Sequence, residues 1–406
     1  MSVGNGTLPV LHPVAGFRLG TASAGIKTPA RADLVVMEID PAASVAGVFT
    51  GNAFCAAPVH IAKRHLTALT PAYFVVNTGN ANAGTGEQGI KDSLASCHAL
   101  ATLVATDTEK VLPFSTGVIG EPLPVDKIVA ALPKAVEALT ENGWAEAAAG
   151  IMTTDTRPKA ASTQFDYRGH TITVTGIAKG AGMIKPNMAT MLAYIATDAP
   201  VAEAVLQRII NTAVNQSFNR ITVDGDTSTN DACMLVATAA LPLDRVDSES
   251  NALFEPLQDA ISTVCIDLAQ GLVRDAEGAS KFVTVAVNSG ASEQECLQVA
   301  YTIAESPLVK TALFASDPNW GRLLAAIGRA GIDNLDVDRV TVTLNGVLIA
   351  EQGCRAAGYT EQQGLAAMAA DEITIAVDLD RGSQSAAVWT SDLSHEYVRI
   401  NAEYRT

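Results

Sequence analysis

Residues 179–198, KGAGMIKPNMATMLAYIATD, decide the fold of this chain. The first half contains two glycines and a proline, which favour a loop. Residues 191–196 then form an alternating, β-prone run that is typical of a buried strand. Thr190 lies at the junction between the two halves. A hydroxyl group held where a loop meets a rigid strand suits a nucleophile, although an ordinary loop-strand junction gives the same pattern.

Helix-like and strand-like patterns alternate on both sides of this stretch. Upstream, an apolar strand at 73–76 leads through a glycine-rich loop into a predicted helix at 88–106. Downstream, predicted helices at 201–217 and 255–272 flank an apolar strand at 232–240. Alternation of this kind predicts an α/β fold of layered sheets and helices. The length of 406 residues favours two or three domains.

Three local patterns give further predictions. Residues 34–50 contain two apolar runs around a Pro-Ala-Ala-Ser turn, which predicts two strands joined as a hairpin. Residues 340–350 contain Asn345-Gly346, a favoured hairpin turn. On its pattern alone, the C-terminal segment 396–406 is predicted to be a strand with a frayed tail.

The composition excludes several classes of function. A formal net charge of −16 argues against general nucleic-acid binding, which depends on clustered Lys and Arg. The N-terminus lacks the pattern of a secretory signal, and no window of 18 uninterrupted apolar residues occurs. We therefore expect a cytoplasmic protein without a membrane segment. Small anionic substrates remain compatible with this charge, since they need only a local positive site.

Metal-binding patterns are absent from the sequence. The six cysteines form no C-x-x-C pair, so most are expected to be reduced core residues. The six histidines show no metal-ligand spacing. Asp224, Asp226 and Asp231 share one loop, but their spacing does not match a Ca²⁺ loop, and we expect them to form turns and caps.

The core Ala-Thr-Met-Leu at 189–192 resembles the signature of the ornithine acetyltransferase family, also called glutamate N-acetyltransferase or arginine biosynthesis bifunctional protein. Chains of that family cut themselves before the threonine. Further family-like segments follow in order at 115–117, 152–155, 275–281 and the extreme C-terminus, so the resemblance spans nearly the whole chain. It implies a two-domain, layered α/β structure similar in arrangement to other N-terminal-nucleophile enzymes.

A cut between Ala189 and Thr190 would explain how a threonine becomes reactive. An internal hydroxyl is a poor nucleophile without a base, whereas a new α-amino group has a reference pKa of about 7.7 to 8.0 and can accept the proton. The hydroxyl can make the cut itself by an N-to-O acyl shift, and water then hydrolyses the resulting ester. Gly180, Gly182 and Pro186 would help to present the bond. Without the family context, Thr190 reads as a β-branched residue at the start of a strand.

The resemblance also implies the remaining site residues. Thr116 and Gly117 would supply a hydroxyl and a backbone N–H to the oxyanion, although an ordinary Ser-Thr-Gly turn gives the same pattern. The implied substrate-binding residues are Thr153, Lys179, Thr190, Glu277, Asn401 and Thr406. Thr154 is a near-equal candidate for the place of Thr153. Apart from the family, Lys179 reads as a loop lysine and Glu277 as a helix end capped by glycine.

The implied reaction transfers acetyl from N-acetyl-L-ornithine to L-glutamate through acetyl-Thr190, in arginine biosynthesis. It needs no cofactor, and acetyl-CoA is accepted as a donor by some members of the family. The resemblance further implies an α chain of 1–189, a β chain of 190–406, and an assembly of two copies of each. Two alternatives stay open: a related self-processed amidase or aminopeptidase, and a non-enzymatic small-molecule binding protein that uses the loop 79–86.

Overall fold

A computed structural model of the chain describes residues 2–4, 6–27, 31–185 and 191–403. The strands in these residues are β1 (Phe17–Ala22), β2 (Leu34–Ile39), β3 (Ser44–Phe49), β4 (Tyr73–Asn80), β5 (Val111–Val118), β6 (Lys159–Tyr167), β7 (His170–Lys179), β8 (Leu192–Thr197), β9 (Ala232–Ala237), β10 (Phe282–Gly290), β11 (Thr341–Leu344), β12 (Val347–Glu351), β13 (Cys354–Arg355), β14 (Glu372–Asp378) and β15 (Gln384–Ser391). The helices are α1 (Ala57–Ala68), α2 (Gly86–Leu103), α3 (Val125–Glu137), α4 (Trp144–Gly150), α5 (Glu203–Gln216), α6 (Phe254–Arg274), α7 (Glu293–Ala304), α8 (Pro307–Phe314), α9 (Trp320–Gly328), α10 (Glu361–Met368) and α11 (His395–Ala402).

The described strands form three sheets, and the first two pack face to face. The first sheet has the order β1-β2-β4-β5, and the second has the order β3-β9-β8-β7-β6. Aromatic side chains fill the space between them: the ring of Tyr194 on β8 lies 5.3 Å from that of Phe114 on β5 and 5.9 Å from that of Phe74 on β4. Burial of each such side chain contributes roughly 1.5–3 kcal/mol, so this interface anchors the sheets firmly.

Helices cover the outer faces of both sheets. Ile61 of α1, Leu100 of α2 and Leu132 of α3 are buried against the first sheet, whereas α5 and α6 bury an apolar stripe against the second. The resulting order is helix, sheet, sheet, helix. The third sheet, β13-β12-β11-β14-β10-β15, packs with α7 to α10 around a hydrophobic core of its own. The predicted α/β layering is confirmed.

The hairpin predicted for 34–50 is wrong, because β2 and β3 belong to different sheets. β2 pairs with β1 and β4, while β3 pairs with β9. The turn between them, closed by a 3.0 Å bond from the N–H of Ala43 to the oxygen of Asp40, carries the chain from one sheet to the facing one. Two apolar strands around a tight turn read alike whether or not they pair. The turn predicted at Asn345-Gly346 does join the paired strands β11 and β12.

The strand predicted at the C-terminus is also wrong, since the described part is the helix α11. The hydroxyl of Ser394 accepts the N–H of Tyr397 and so caps the first turn. This cap lies just before the segment that was assigned as a strand. Along the residues that the structure describes, no helix is both long enough and apolar enough to cross a bilayer.

Candidate active site

The site begins where the parallel strands β4 and β5 end side by side, with Gly79 level with Gly117. Gly117 has φ of +136°, and a Cβ atom there would lie 2.3 Å from the carbonyl carbon of Gly79. Only glycine fits such a close approach of two backbones. The close approach fixes the backbone at Gly117, next to Thr116. These two residues are the ones predicted to stabilise an oxyanion.

Asn230 ties this end of the first sheet to the second sheet. Its side-chain amide donates to the carbonyl oxygen of Ala81 at 2.6 Å and to that of Ser115 at 2.8 Å. Asn230 is buried and directly precedes Asp231 and the strand β9. It therefore holds the residue before Thr116 in place. The sequence analysis did not identify Asn230, because one asparagine in a polar loop gives no distinguishing signal.

Lys179 is the last residue of β7 and reaches across to the first sheet. Its ammonium group donates to the hydroxyl oxygen of Thr116 at 2.9 Å. Burial is the main cause that lowers the pKa of Lys179, while the carboxylates of Asp155, Asp231 and Glu277 act in the opposite direction. Two residues predicted separately for the site are therefore in direct contact.

A buried network of ion pairs lies next to Lys179. Lys159 pairs with the carboxylate of Asp155 and, at 2.6 Å, with that of Asp275. Asp155 also accepts the N–H of Gly180 at 2.7 Å and the N–H of Thr153 at 2.9 Å. Burial would raise the pKa of Asp155, but Lys159 and Lys179 outweigh it and the pKa lies below its usual range. The network fixes the Thr153 segment against the residue that follows Lys179.

Glu277 and Asn401 meet on the other side of the same space. The amide of Asn401 donates to Oε2 of Glu277 at 2.7 Å, although the two residues lie 124 positions apart. Glu277 is buried, and its N–H donates to the oxygen of Ala181 at 2.8 Å. A Cβ atom on Gly182 would lie 2.4 Å from the Glu277 carboxylate, so glycine is needed there for the carboxylate to fit.

These residues line one cleft of about 260 Å³. The predicted site residues on its wall are Thr116, Gly117, Thr153, Thr154, Lys179, Glu277 and Asn401. Both threonine candidates reach the cleft, and the hydroxyl of Thr153 lies 3.5 Å from Asp155. A cleft of this size, with one cation and one carboxylate on its wall, suits a small zwitterionic ligand.

Ala189, Thr190 and Thr406 lie outside the described residues. Met191, which follows Thr190 in the chain, is buried, and its carbonyl oxygen accepts the N–H of Ala232 at 2.9 Å. The predicted strand after the junction is therefore present as β8. The roles predicted for the three residues remain predictions.

The three aspartates of the 224–231 loop differ in their surroundings. Asp224 accepts backbone N–H groups, as expected of a turn former, and one of them comes from Asp226 at 3.3 Å. Asp231 is instead buried; its Oδ2 has no partner among the described residues, and burial raises its pKa well above the usual value. The described parts of the chain contain no group of three His, Cys, Asp or Glu residues that could hold a metal ion.

Comparison with known proteins identifies the family of the chain. The profile of the ArgJ family matches residues 18–406. The chain belongs to the ArgJ family. A Pseudomonas syringae pv. tomato protein named arginine biosynthesis bifunctional protein ArgJ is 62% identical over 406 residues, covering 100% of both chains. A protein of the same name from Methylococcus capsulatus is 56% identical over 396 residues, 98% of this chain and 97% of that one.

Two solved structures are also similar to the chain. The crystal structure of arginine biosynthesis bifunctional protein ArgJ from Bacillus halodurans is 35% identical, covers 52% of this chain and 97% of that chain, and has a TM-score of 0.49. Ornithine acetyltransferase from Mycobacterium tuberculosis, complexed with ornithine, is 36% identical, covers 44% of this chain and 94% of that chain, and has a TM-score of 0.39. The family resemblance found in the sequence is confirmed by the ArgJ family match.

Proposed function

We propose that the chain cuts itself between Ala189 and Thr190 and then carries acetyl from N-acetyl-L-ornithine to L-glutamate on the Thr190 hydroxyl. Membership of the ArgJ family assigns the protein to acetyl transfer in arginine biosynthesis. The observation that carries the site assignment is the 2.9 Å bond between Lys179 and Thr116, beside Gly117 and inside the cleft. It brings together a cation, a hydroxyl group and a fixed backbone N–H.

The proposed reaction has two half-reactions. The Thr190 oxygen attacks the acetyl carbonyl carbon while its proton moves to the α-amino group of the same residue. The bond from the acetyl carbon to the ornithine nitrogen then breaks, and that nitrogen takes the proton as ornithine leaves. In the second half, the glutamate amine attacks the ester and gives its proton to the α-amino group of Thr190, which passes it to the Thr190 oxygen as that oxygen leaves and N-acetylglutamate forms.

Thr116 and Gly117 are the proposed oxyanion donors. Lys179 donates to the Thr116 oxygen, so the hydroxyl hydrogen of Thr116 is not needed for that contact and would be donated to the oxyanion in the cleft. The N–H of Gly117 is held beside it by the close approach to Gly79. Loss of one oxyanion donor typically costs about 10²–10³ in kcat, so these two groups would account for much of the rate.

The proposed substrate contacts divide by charge. Lys179 would attract a substrate carboxylate, and Glu277, oriented by Asn401, would hold a substrate amine. Thr153 or Thr154, together with Thr406, would complete the contacts to the amino-acid part. Both substrates are small amino-acid derivatives with an α-carboxylate, so one pocket can serve each in turn.

The proposed chains are 1–189 and 190–406, assembled as two copies of each in the cytoplasm. Supporting this division, the second sheet contains strands from both sides of the cut, with Ala178 of β7 opposite Ala193 of β8. Cutting would therefore leave the sheet joined by its hydrogen bonds. The proposed steps exchange one acyl group and need no resident cofactor, and acetyl-CoA remains a possible second donor.

Intact mass spectrometry of the purified protein tests the cut. Species corresponding to 1–189 and 190–406 are expected, and Thr190→Ala should give one uncut chain. An acetyl-exchange assay then separates the alternatives, because a hydrolase would release acetate without glutamate, whereas a transferase requires glutamate. An uncut chain from soluble, active protein would remove the base assigned to Thr190.

A further inference from the structure

Residues 183–185 are the last described residues before the proposed cut. One loop binds all three of them. That loop, residues 223–227, lies between α5 and β9. It belongs to the proposed β chain, whereas residues 183–185 belong to the proposed α chain. Its contacts therefore join the two proposed chains.

Asp224 makes the central contacts. Its Oδ2 accepts the N–H of Met183 at 2.7 Å, and its Oδ1 accepts the N–H of Ile184 at 2.9 Å. One carboxylate thus binds two successive backbone N–H groups, each as a charge-assisted hydrogen bond. Such a pair of bonds fixes both the position and the direction of the backbone.

The backbone at Met183 needs this support. Met183 has φ of +53°, in the left-handed region that is costly for a side chain other than glycine, and its side chain is 41% exposed. Packing of the side chain therefore does little to hold the conformation. The carboxylate of Asp224 instead binds the backbone at this strained position.

Two further contacts of the loop bind the carbonyl oxygens of Ile184 and Lys185, which are closer to the proposed cut. The N–H of Val223 donates to the oxygen of Ile184 at 2.7 Å, and the hydroxyl of Thr227 donates to the oxygen of Lys185 at 3.1 Å. The side chain of Lys185 also pairs with Glu305 at 2.9 Å. Three consecutive residues, each with a polar restraint, lead directly to the segment that contains the cut.

We propose that Asp224 and Thr227 of this loop are positioning residues for self-cleavage, which together fix residues 183–185 so that the chain enters the cut segment in one direction. This inference rests on the proposed cut at Ala189–Thr190. An N-to-O acyl shift depends on holding the hydroxyl against the preceding carbonyl, so an imprecise approach slows it steeply. Acetyl transfer after the cut no longer needs that restraint on the scissile bond.

The same carboxylate is also linked to the helix that carries Asn401. The hydroxyl of Tyr397 on α11 donates to Oδ2 of Asp224 at 3.1 Å. Burial and then the charge of Asp224 raise the pKa of Tyr397, so this tyrosine stays a neutral donor. The chain is thus held for cutting by a group that also contacts the substrate-binding helix.

Asp224→Asn tests the inference, with Asp226→Asn as the matched control on the exposed side of the same loop. The time course of cutting is followed by intact mass spectrometry after cell-free synthesis of the full chain. In Asp224→Asn one backbone N–H faces an amide N–H₂ group, so cutting is expected to slow by about tenfold or more. Asp226→Asn should cut at the wild-type rate.

The exchange activity per cut molecule distinguishes positioning from general damage. Asp224→Asn molecules that have been cut should lose much less acetyl transfer than cutting rate, because the amide oxygen can still accept the hydroxyl of Tyr397, and they should unfold at a similar temperature. Wild-type cutting in Asp224→Asn would overturn the inference, as would an equal loss of cutting and of activity per cut molecule. If the wild-type chain itself stays uncut, the proposed function fails instead.

Thr227→Val supplies a second test if Asp224→Asn does not fold. It removes the hydroxyl that binds the oxygen of Lys185 but leaves Asp224 unchanged. We expect cutting to slow severalfold with the melting temperature nearly unchanged. Cutting at the wild-type rate in a folded Thr227→Val chain would overturn the inference.

Discussion

The ammonium group of Lys179 lies 2.9 Å from the hydroxyl oxygen of Thr116, across 63 positions of sequence and between two facing sheets. This contact connects the end of β7 to the end of β5. In the proposed mechanism one lysine has two roles, because the same cation would orient an oxyanion donor and would attract a substrate carboxylate into the cleft.

Lys179→Met is expected to lower kcat/KM for acetyl exchange by roughly a hundredfold, since Thr116 loses its partner and the cleft loses its cation. Thr116→Val should show a loss of similar size, and the double variant should lose much less than the sum of the two. Steady-state kinetics of the four proteins measure this coupling. Lys91→Met, at an exposed pair with Glu87, is the control and should behave as wild type. Additive losses in the double variant would show that Lys179 and Thr116 act independently, which contradicts the prediction.

Gly117→Ala is expected to destabilise the protein by at least about 2 kcal/mol and to abolish exchange, because the new Cβ would meet the backbone of Gly79 in a left-handed conformation. Gly120→Ala is the control: Gly120 also has a positive φ, of +85°, but a Cβ atom there would meet nothing within 4 Å. It should cost about 1 kcal/mol or less. Urea denaturation of both variants gives the difference, and equal costs would contradict the steric explanation.

Acid stability should depend on Asp155. Its pKa is lower in the folded protein than in the unfolded chain, where an aspartate titrates near about 3.9. The stabilisation is therefore complete above about pH 4 and is lost as the pH falls below it. Asp155→Asn should lower the free energy of unfolding at neutral pH and flatten its dependence on pH in acid. Urea denaturation across this range measures both, with the exposed Asp126→Asn as control.

Asn401→Ala is expected to raise KM more than it lowers kcat, because Glu277 loses the amide that orients it but keeps its charge. Asn401→Asp should be worse, since a second carboxylate would then face Glu277. Exchange kinetics with varied glutamate give both constants. A fall in kcat with unchanged KM would place Asn401 in the chemical step instead of substrate binding.

Sequence reasoning identified the wall of the cleft well. The segments containing Thr116, Thr153, Lys179 and Glu277 were each assigned from the family-like residues, and the structure brings them together. Helices such as α6 followed from apolar residues at helical spacing, which is a local property. The residue contacts themselves depend on how distant strands meet, and no local pattern encodes that.

The parts that sequence reasoning missed share one physical cause. Asn230 and Lys159 are single polar residues whose importance comes only from burial against distant partners. For Lys159, the spacing of four residues from Asp155 was a weak available signal. The sheet change between β2 and β3 was missed because strand patterns report which face is apolar and not which strand is the neighbour.

If the chain is cut as proposed, β7 and β8, with residue 178 opposite 193, pair across two separate pieces, and the thermodynamics of folding change. Folding of the intact precursor is a unimolecular process, whereas two separate pieces must find each other again in solution. Their stability then depends on concentration, as it does for an obligate complex. The mature protein would therefore be formed once, through its precursor, and would not readily regain its structure after complete unfolding in dilute solution.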